Sequence, residues 1–329
     1  MVTFLSGGTG TPKLLSGAVS EYSPEMITVI GNTGDDIKLG GNLICPDLDT
    51  VLFERAGILD KETWWGIAED TSYTHDQLTT LVEATSFDEP QFLPPSEQMN
   101  GDDIGRWRQF GGIPEFMYIG DRDRAIHIFR TALLEAGYTL TDVIQKLTEI
   151  FDISITLLPM SDDPVSSIIH TESGQMHFQE FWVDKNGKPN VEDVEFRGGK
   201  SAETTDQVLT AIRNNPVIIG PSNPITSIGP MLELDALRDA LYDTDVVAVS
   251  PFIEDTVFSG PAAKLMEAEG YQSSTTGVAQ VYSFVDAFVL DVKDSTSLDR
   301  PIVRTETEIN THENRIRVIQ ACKQAFKKI

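Results

Sequence analysis

Four pairs of aspartates lie in short polar segments of the chain: Asp35 with Asp36, Asp47 with Asp49, Asp121 with Asp123, and Asp162 with Asp163. Carboxylates gathered near phosphate-binding backbone suit Mg2+, a hard cation that takes oxygen ligands and shares its shell with substrate phosphates and water. In an acidic chain such pairs also serve as helix caps or solvated surface. Asp121, in Gly120-Asp121-Arg122-Asp123-Arg124, reads equally as the cap of the next helix. Pro46-Asp47-Leu48-Asp49-Thr50 carries the stronger claim, because a rigid proline fixes its start and both carboxylates point the same way if the stretch is extended. Arg122 and Arg124 could clamp a phosphate through their forked geometry, or pair with their own aspartates. His127 falls near Arg124 on one helical face, where packing and ligand contact remain equally open.

The second chemical feature is Ser6-Gly7-Gly8-Thr9-Gly10-Thr11-Pro12-Lys13. It misses the dinucleotide fingerprint at Lys13, where the third glycine belongs, and the Walker loop at Pro12 and Leu14. Consecutive small residues still let backbone N–H groups form an anion nest, and a following helix adds its positive N-terminal end. Lys13, one turn into that helix, could reach a phosphate oxygen; glycines also serve simply to make a tight turn. Trp64-Trp65 could line a pocket for a planar ring or fill the core. The sequence contains neither H-E-x-x-H nor G-x-S-x-G, which removes the common zinc and serine hydrolase motifs.

These residues need a scaffold, and its grammar repeats. Val2 to Leu5 reads as a strand; Thr11 can cap a helix with Pro12 in its first turn; Met26 to Ile30 reads as a second strand running into Gly31-Asn32-Thr33-Gly34-Asp35-Asp36. Apolar runs at Ile153 to Leu158, Val217 to Ile219 and Val246 to Val249 likewise run into loops of proline, serine, glycine and asparagine. In a parallel, doubly wound sheet such loops emerge at the carboxyl edge, where ligands bind, so one composite site is expected. A mostly helical insertion is expected at about 50–150, with Ala125, Ile128, Ala132 and Leu133 on one face of a helix after Gly120. A proline- and acid-rich excursion runs from Phe87 to Pro114, an antiparallel hairpin is expected between Val165 and Val183, and a closing helix from Asn314 to Phe326. The expected architecture is one α/β domain over residues 1–329, its mostly parallel sheet flanked by helices.

With 51 acidic against 25 basic residues, the chain carries a formal net charge of −26, spread along its length. Such a surface repels nucleic acid and anionic membranes and suits high salt, where screening is short-ranged. A halophilic source and a cytoplasmic location are expected, with no nucleic-acid or membrane partner. Cys45 and Cys322 have neither metal-knuckle nor redox-pair spacing.

The strings SGGTGTPKLL, GNTGDD, NLICPDLDTVLF, ETWWGIAEDT, IGDRDRAIHIFRT, LLPMSDDPVSS, MHFQEFWV, IIGPSNPITSIGP, VAVSPFI and SGPAAKLM resemble, in this order and over nearly the whole chain, the 2-phospho-L-lactate transferase family of coenzyme F(420) biosynthesis. The resemblance implies a Rossmann-like homodimer and a Mg2+-dependent transfer. A phospholactyl unit would move from lactyl-2-diphospho-5′-guanosine to the ribityl hydroxyl of 7,8-didemethyl-8-hydroxy-5-deazariboflavin, with GMP leaving. It places the donor nucleotide and diphosphate at Gly8, Thr9, Gly10, Lys13, Asn32, Ser222 and Asn223, and the metal at Asp36, Asp47 and Asp49. Asp49 stands at the reacting centre, as metal ligand or hydrogen-bonded to the attacking hydroxyl. Trp65, Tyr118 and Arg122 face the deazaflavin with it. The excursion from Phe87 to Pro114 is longer than this family leads one to expect. The alternatives are a sugar-nucleotide-binding regulator that shares the GGTG start, and an NAD-linked dehydrogenase, which the missing third glycine and Asn32 disfavour.

Overall fold

The computed structural model describes residues 1–83, 116–257 and 260–329, so the Phe87 to Pro114 excursion lies outside the described residues. Seven strands form one parallel sheet: β1 Val2–Ser6, β2 Ile27–Gly31, β3 Thr156–Pro159, β4 Val217–Ile219, β5 Val246–Val249, β6 Ala287–Asp291 and β7 Ile302–Thr305. Their order across the sheet is β7-β6-β5-β4-β1-β2-β3. β1 is buried at every position, as a central parallel strand must be, which is why it reads as a mostly apolar run with only Thr3 and Ser6 polar. Phe4 and Leu5 point to opposite faces and join different core clusters.

From β1 the chain winds outward through β2 to β3, then returns to lay β4 against the other side of β1, with Thr3 opposite Val217 and Leu5 opposite Ile219. The loops after β1 and β4 therefore diverge at the carboxyl edge. Such a reversal opens a crevice, the place where doubly wound sheets bind ligands.

One face of the sheet is covered by α1 Gly10–Ala18, α2 Pro46–Ala56, α5 Leu140–Ile150 and the closing α6 His312–Phe326. Between α2 and α5 lie α3 Tyr73–Glu83 and α4 Asp121–Glu135. Beyond β3 come the expected hairpin, Ser166–Thr171 against Gly174–His177, and a third antiparallel strand, Asp193–Arg197. The hairpin stops at His177 instead of reaching Val183, because Glu180–Asp184 coils into a helical turn.

Three local expectations need correction. The N-cap of α1 is Thr9, not Thr11; the buried Thr11 hydroxyl instead meets Ser222 Oγ at 2.9 Å. Pro46-Asp47-Leu48-Asp49 is not extended but opens α2, with proline in its first turn and Gly57 (φ 72°) at its end. Residues two apart on a helix lie about 200° apart around its axis, so the two carboxylates face different neighbours. On α4 most of the expected apolar set turns outward: Ile128 is 51% exposed and Ala125 and Ala132 are exposed, Leu133 alone of the four packing against the core, while Asp123, Arg124, Ile126, His127, Arg130 and Thr131 are buried.

Candidate active site

A cavity of about 500 Å3 opens where the loops after β1 and β4 part. Its floor is backbone-rich, from Gly7, Gly8, Thr9 and Gly10 on one side to Ser222, Asn223, Thr226 and Ser227 on the other. Two glycines make this possible. Gly8 takes φ +59°, and a side chain at Gly10 would run into the Pro221 carbonyl oxygen. Ser222 is mostly structural, since its buried hydroxyl donates to Gly7 O at 2.6 Å. Asn223 lines the cavity and caps the turn after it by accepting from Ile225 N.

The carboxylates of this floor are Asp35 and Asp47. Asp47, on the first turn of α2, accepts from Gly8 N at 2.6 Å and from Asn32 Nδ2 at 2.8 Å. Its carboxylate thus already occupies part of the glycine nest. Asn32 is fully buried and does not line the cavity: Nδ2 also donates to Thr226 O at 3.1 Å, and Oδ1 accepts from Gly34 N at 2.8 Å. It brackets Asp47 between both loops. Burial pushes Asp47 up to about 6, against the pull of Asn32 and Gly8, and burial together with the Asp47 charge raises Asp35 well above its ordinary value. Asp35 Oδ1 is buried without a hydrogen-bond partner, while Ser167 and Asn32 pull against the rise of the Asp35 carboxyl.

Asp36 and Asp49 face elsewhere. Asp49 makes a two-pronged pair with the fully buried Arg130, through Nη1 at 3.1 Å and through Nη2. Its Oδ2 lies 3.4 Å from His127 Nε2, which lies 3.0 Å from Asp123 Oδ1. The same oxygen accepts from Cys45 N at 3.3 Å, tying Asp49 back to the start of its own helix. Burial alone would raise Asp49, but Arg130 and His127 outweigh it and hold its carboxyl below the usual range. His127 feels the reverse balance: burial lowers it, yet Asp123 and Asp49 leave it raised. Asp36 is raised by burial, with the Cys45 thiol and Arg130 opposing. The expected trio Asp36, Asp47 and Asp49 is thus divided between the cavity and the Arg130 network. Among the described residues no three His, Cys, Asp or Glu side chains converge as a metal site.

Five aromatic side chains also line the cavity: Trp64, Trp65 and Tyr118, and, from the segment after the hairpin, Phe178 and Trp182. Trp65 Nε1 reaches Tyr118 O at 3.5 Å. Trp64 adopts a left-handed backbone, φ 57°, which costs a non-glycine residue about 1–2 kcal/mol. Lys13 Nζ lies 4.9 Å from its ring centre and Arg315 Cζ 5.3 Å, stacking contacts worth about 0.5–1 kcal/mol each near a surface. Lys13 is therefore not on the cavity floor but against Trp64. Arg122 is also outside the lining; its backbone N–H donates to Asp70 and its guanidinium to Ala68 O.

Sequence reasoning passed over Asp35, Phe178, Trp182 and Ser227 as site residues. Asp35 was visible only as half of a pair. The other three sit in MHFQEFWV and PSNPITS, strings whose residues show no chemistry until the chain folds.

A family model described as 2-phospho-L-lactate transferase CofD matches residues 2–325. A 2-phospho-L-lactate transferase of Halobacterium salinarum is 59% identical over 328 residues, 99% of this chain and 98% of that one. One from Haloarcula marismortui is 60% identical over 330 residues, covering 100% of both, and one from Methanosarcina acetivorans is 44% identical over 292, covering 88% of this chain and 85% of that. A UPF0052 family member from Bacillus halodurans, 14% identical, superposes with a TM-score of 0.53 over 97% of this chain and 89% of that one, a likeness of fold alone.

Proposed function

Because the chain belongs to the 2-phospho-L-lactate transferase CofD family, we propose that its cavity transfers a phospholactyl unit from lactyl-2-diphospho-5′-guanosine to the ribityl hydroxyl of 7,8-didemethyl-8-hydroxy-5-deazariboflavin, releasing GMP. The observation that carries this reading is that one cavity is lined both by glycine and hydroxyl loops and by five aromatic side chains. A diphosphate ester needs backbone donors in a concave nest; a tricyclic flavin-like ring needs flat apolar faces. Both surfaces meet across about 500 Å3.

Phosphoryl transfer leans on positioning and charge neutralisation more than on covalent chemistry. The chain's part is to hold the diphosphate on the loop of Gly7 to Gly10 and to set the acceptor hydroxyl beside it. Asp35 and Asp47 fit a Mg2+ ion: two buried carboxylates, one oxygen unpartnered, and room for substrate phosphates to complete the shell. When bound there, the metal would neutralise charge building on the diphosphate. Asp49, held by Arg130 and His127, supports this by fixing α2, and with it Asp47, against Gly8.

The test is direct. Purified protein in high salt, with Mg2+ and both substrates, should yield GMP and a phosphorylated deazaflavin, followed by chromatography and mass spectrometry. No product, with tight binding of a sugar nucleotide instead, would overturn the transferase reading in favour of a regulatory protein.

A further inference from the structure

Trp64 presents its ring to the cavity from a backbone conformation that a bulky side chain holds only where its surroundings fix it. Two cations outside the cavity lining, Lys13 and Arg315, both lie over that ring. Among the described residues neither makes an ion pair, although acidic residues outnumber basic ones about two to one in the chain. Glu54, the carboxylate whose charge reaches Arg315, is itself paired with Arg55 at 2.8 Å. Two like charges gathered at one aromatic ring are held there by attraction to its negative π-cloud.

Arg315 is not loosely placed. Its Nε donates to Ile309 O and its Nη1 to Ser16 Oγ, both at 2.9 Å. At Gly17 the helices α1 and α6 touch so closely that a Cβ would sit 2.7 Å from the Arg315 carbonyl carbon. Lys13, Ser16 and Gly17 share one face of α1, being three and four residues apart. The closing helix thus delivers its guanidinium to the ring from a fixed platform.

We propose that Arg315 is a positioning residue for the acceptor side of the cavity: with Lys13 it fixes Trp64 as the wall on which the planar acceptor rests. This builds on the transferase reading, so the test also reads Trp64 without turnover. Arg315→Ala, Arg315→Gln and Arg315→Lys are each compared with and without Trp64→Phe, so that Trp64 emission is obtained by difference. In Arg315→Ala that emission should shift to longer wavelength and become more accessible to acrylamide. Half-saturation by the deazaflavin should rise about three- to fivefold, as expected for one lost stacking contact, with kcat little changed. Arg315→Lys should restore both readouts in large part, and Arg315→Gln, which keeps amide donors but no charge, should not. If Arg315→Ala fails to fold, the Lys and Gln variants decide by the same contrast. Unchanged emission, or a lower kcat with unchanged half-saturation, would overturn the proposal. Where wild type shows no transfer at all, the emission change alone decides whether Arg315 fixes Trp64.

Discussion

At the scale of single residues, Asp47 carries two burdens: it fills the glycine nest and it faces Asp35. Asp47→Asn removes one of two crowded carboxylates, but its single amide oxygen can accept from Gly8 N or from Asn32 Nδ2, not from both. Turnover should fall about 100-fold or more, the size of losing one charged group from a preorganised site. Thermal unfolding, read by circular dichroism, should move only slightly, the relief of carboxylate crowding offsetting the one acceptor lost. A loss of activity accompanied by a large drop in Tm would instead make Asp47 a structural residue. His177 supplies the pH test. Its Nε2 lies 3.0 Å from Asp36 O and its Nδ1 accepts from Gln179 N, so the ring is held neutral, and burial lowers it to about 4. A group whose folded value lies below its ordinary one takes up its proton first in the unfolded chain. Its contribution is therefore complete above about 6.5 and is lost as pH falls toward 4, up to about 3 kcal/mol. Denaturant unfolding of wild type and His177→Gln between those limits should show the steeper acid loss in wild type; equal slopes would remove His177 from the account.

At the scale of elements, the buried side of α4 holds Asp49 and hence α2. Arg130→Ala leaves Asp49 buried beside no guanidinium and should cost about 3–5 kcal/mol by denaturant melts. Adding Asp49→Leu should recover much of that loss, because the orphaned charge goes too; no recovery would mean that Arg130 acts through Leu43 O alone. This helix also marks the limit of what was legible in the sequence. Parallel strands buried on both faces announce themselves as apolar runs, so β1, β2, β4 and β5 and the loops after them could be read in advance. Amphipathic reading assumes that the apolar face turns inward. On α4 a network of paired charges shares the buried side with Ile126, and no local pattern distinguishes Asp123, His127 and Arg130 from a solvated stripe. Likewise PDLDT reads as rigid and extended until its proline proves to be the first turn of a helix. Adjacent Asp35 and Asp36 look alike in sequence, yet one reaches the cavity and the other the Cys45 thiol.

At the scale of the molecule, a net charge of −26 sets the conditions for everything else. Tm should climb steadily from low to high KCl as screening relieves repulsion between carboxylates, and a flat profile would contradict that view. The same charge limits how copies can meet. If the chain dimerises as proposed from its resemblance, the outward face of α4, with Ala125, Ile128, Phe129 and Ala132, is a surface that two anionic copies could share. Ile128→Glu combined with Phe129→Glu should then lower the sedimenting mass to that of a monomer in high salt, while a wild-type mass that is already monomeric would exclude the dimer. The strand order has a consequence in time as well. Because β1 has β4 as one neighbour, a chain emerging from the ribosome can join β1 to β2 and β3 while the other edge of β1 stays open until Val217 appears. Only then do the two halves of the crevice face each other. Pairings between distant segments form slowly, and an uncovered apolar edge invites aggregation. Ligand binding should therefore arise late in synthesis, after the first strand has spent most of translation with one edge uncovered.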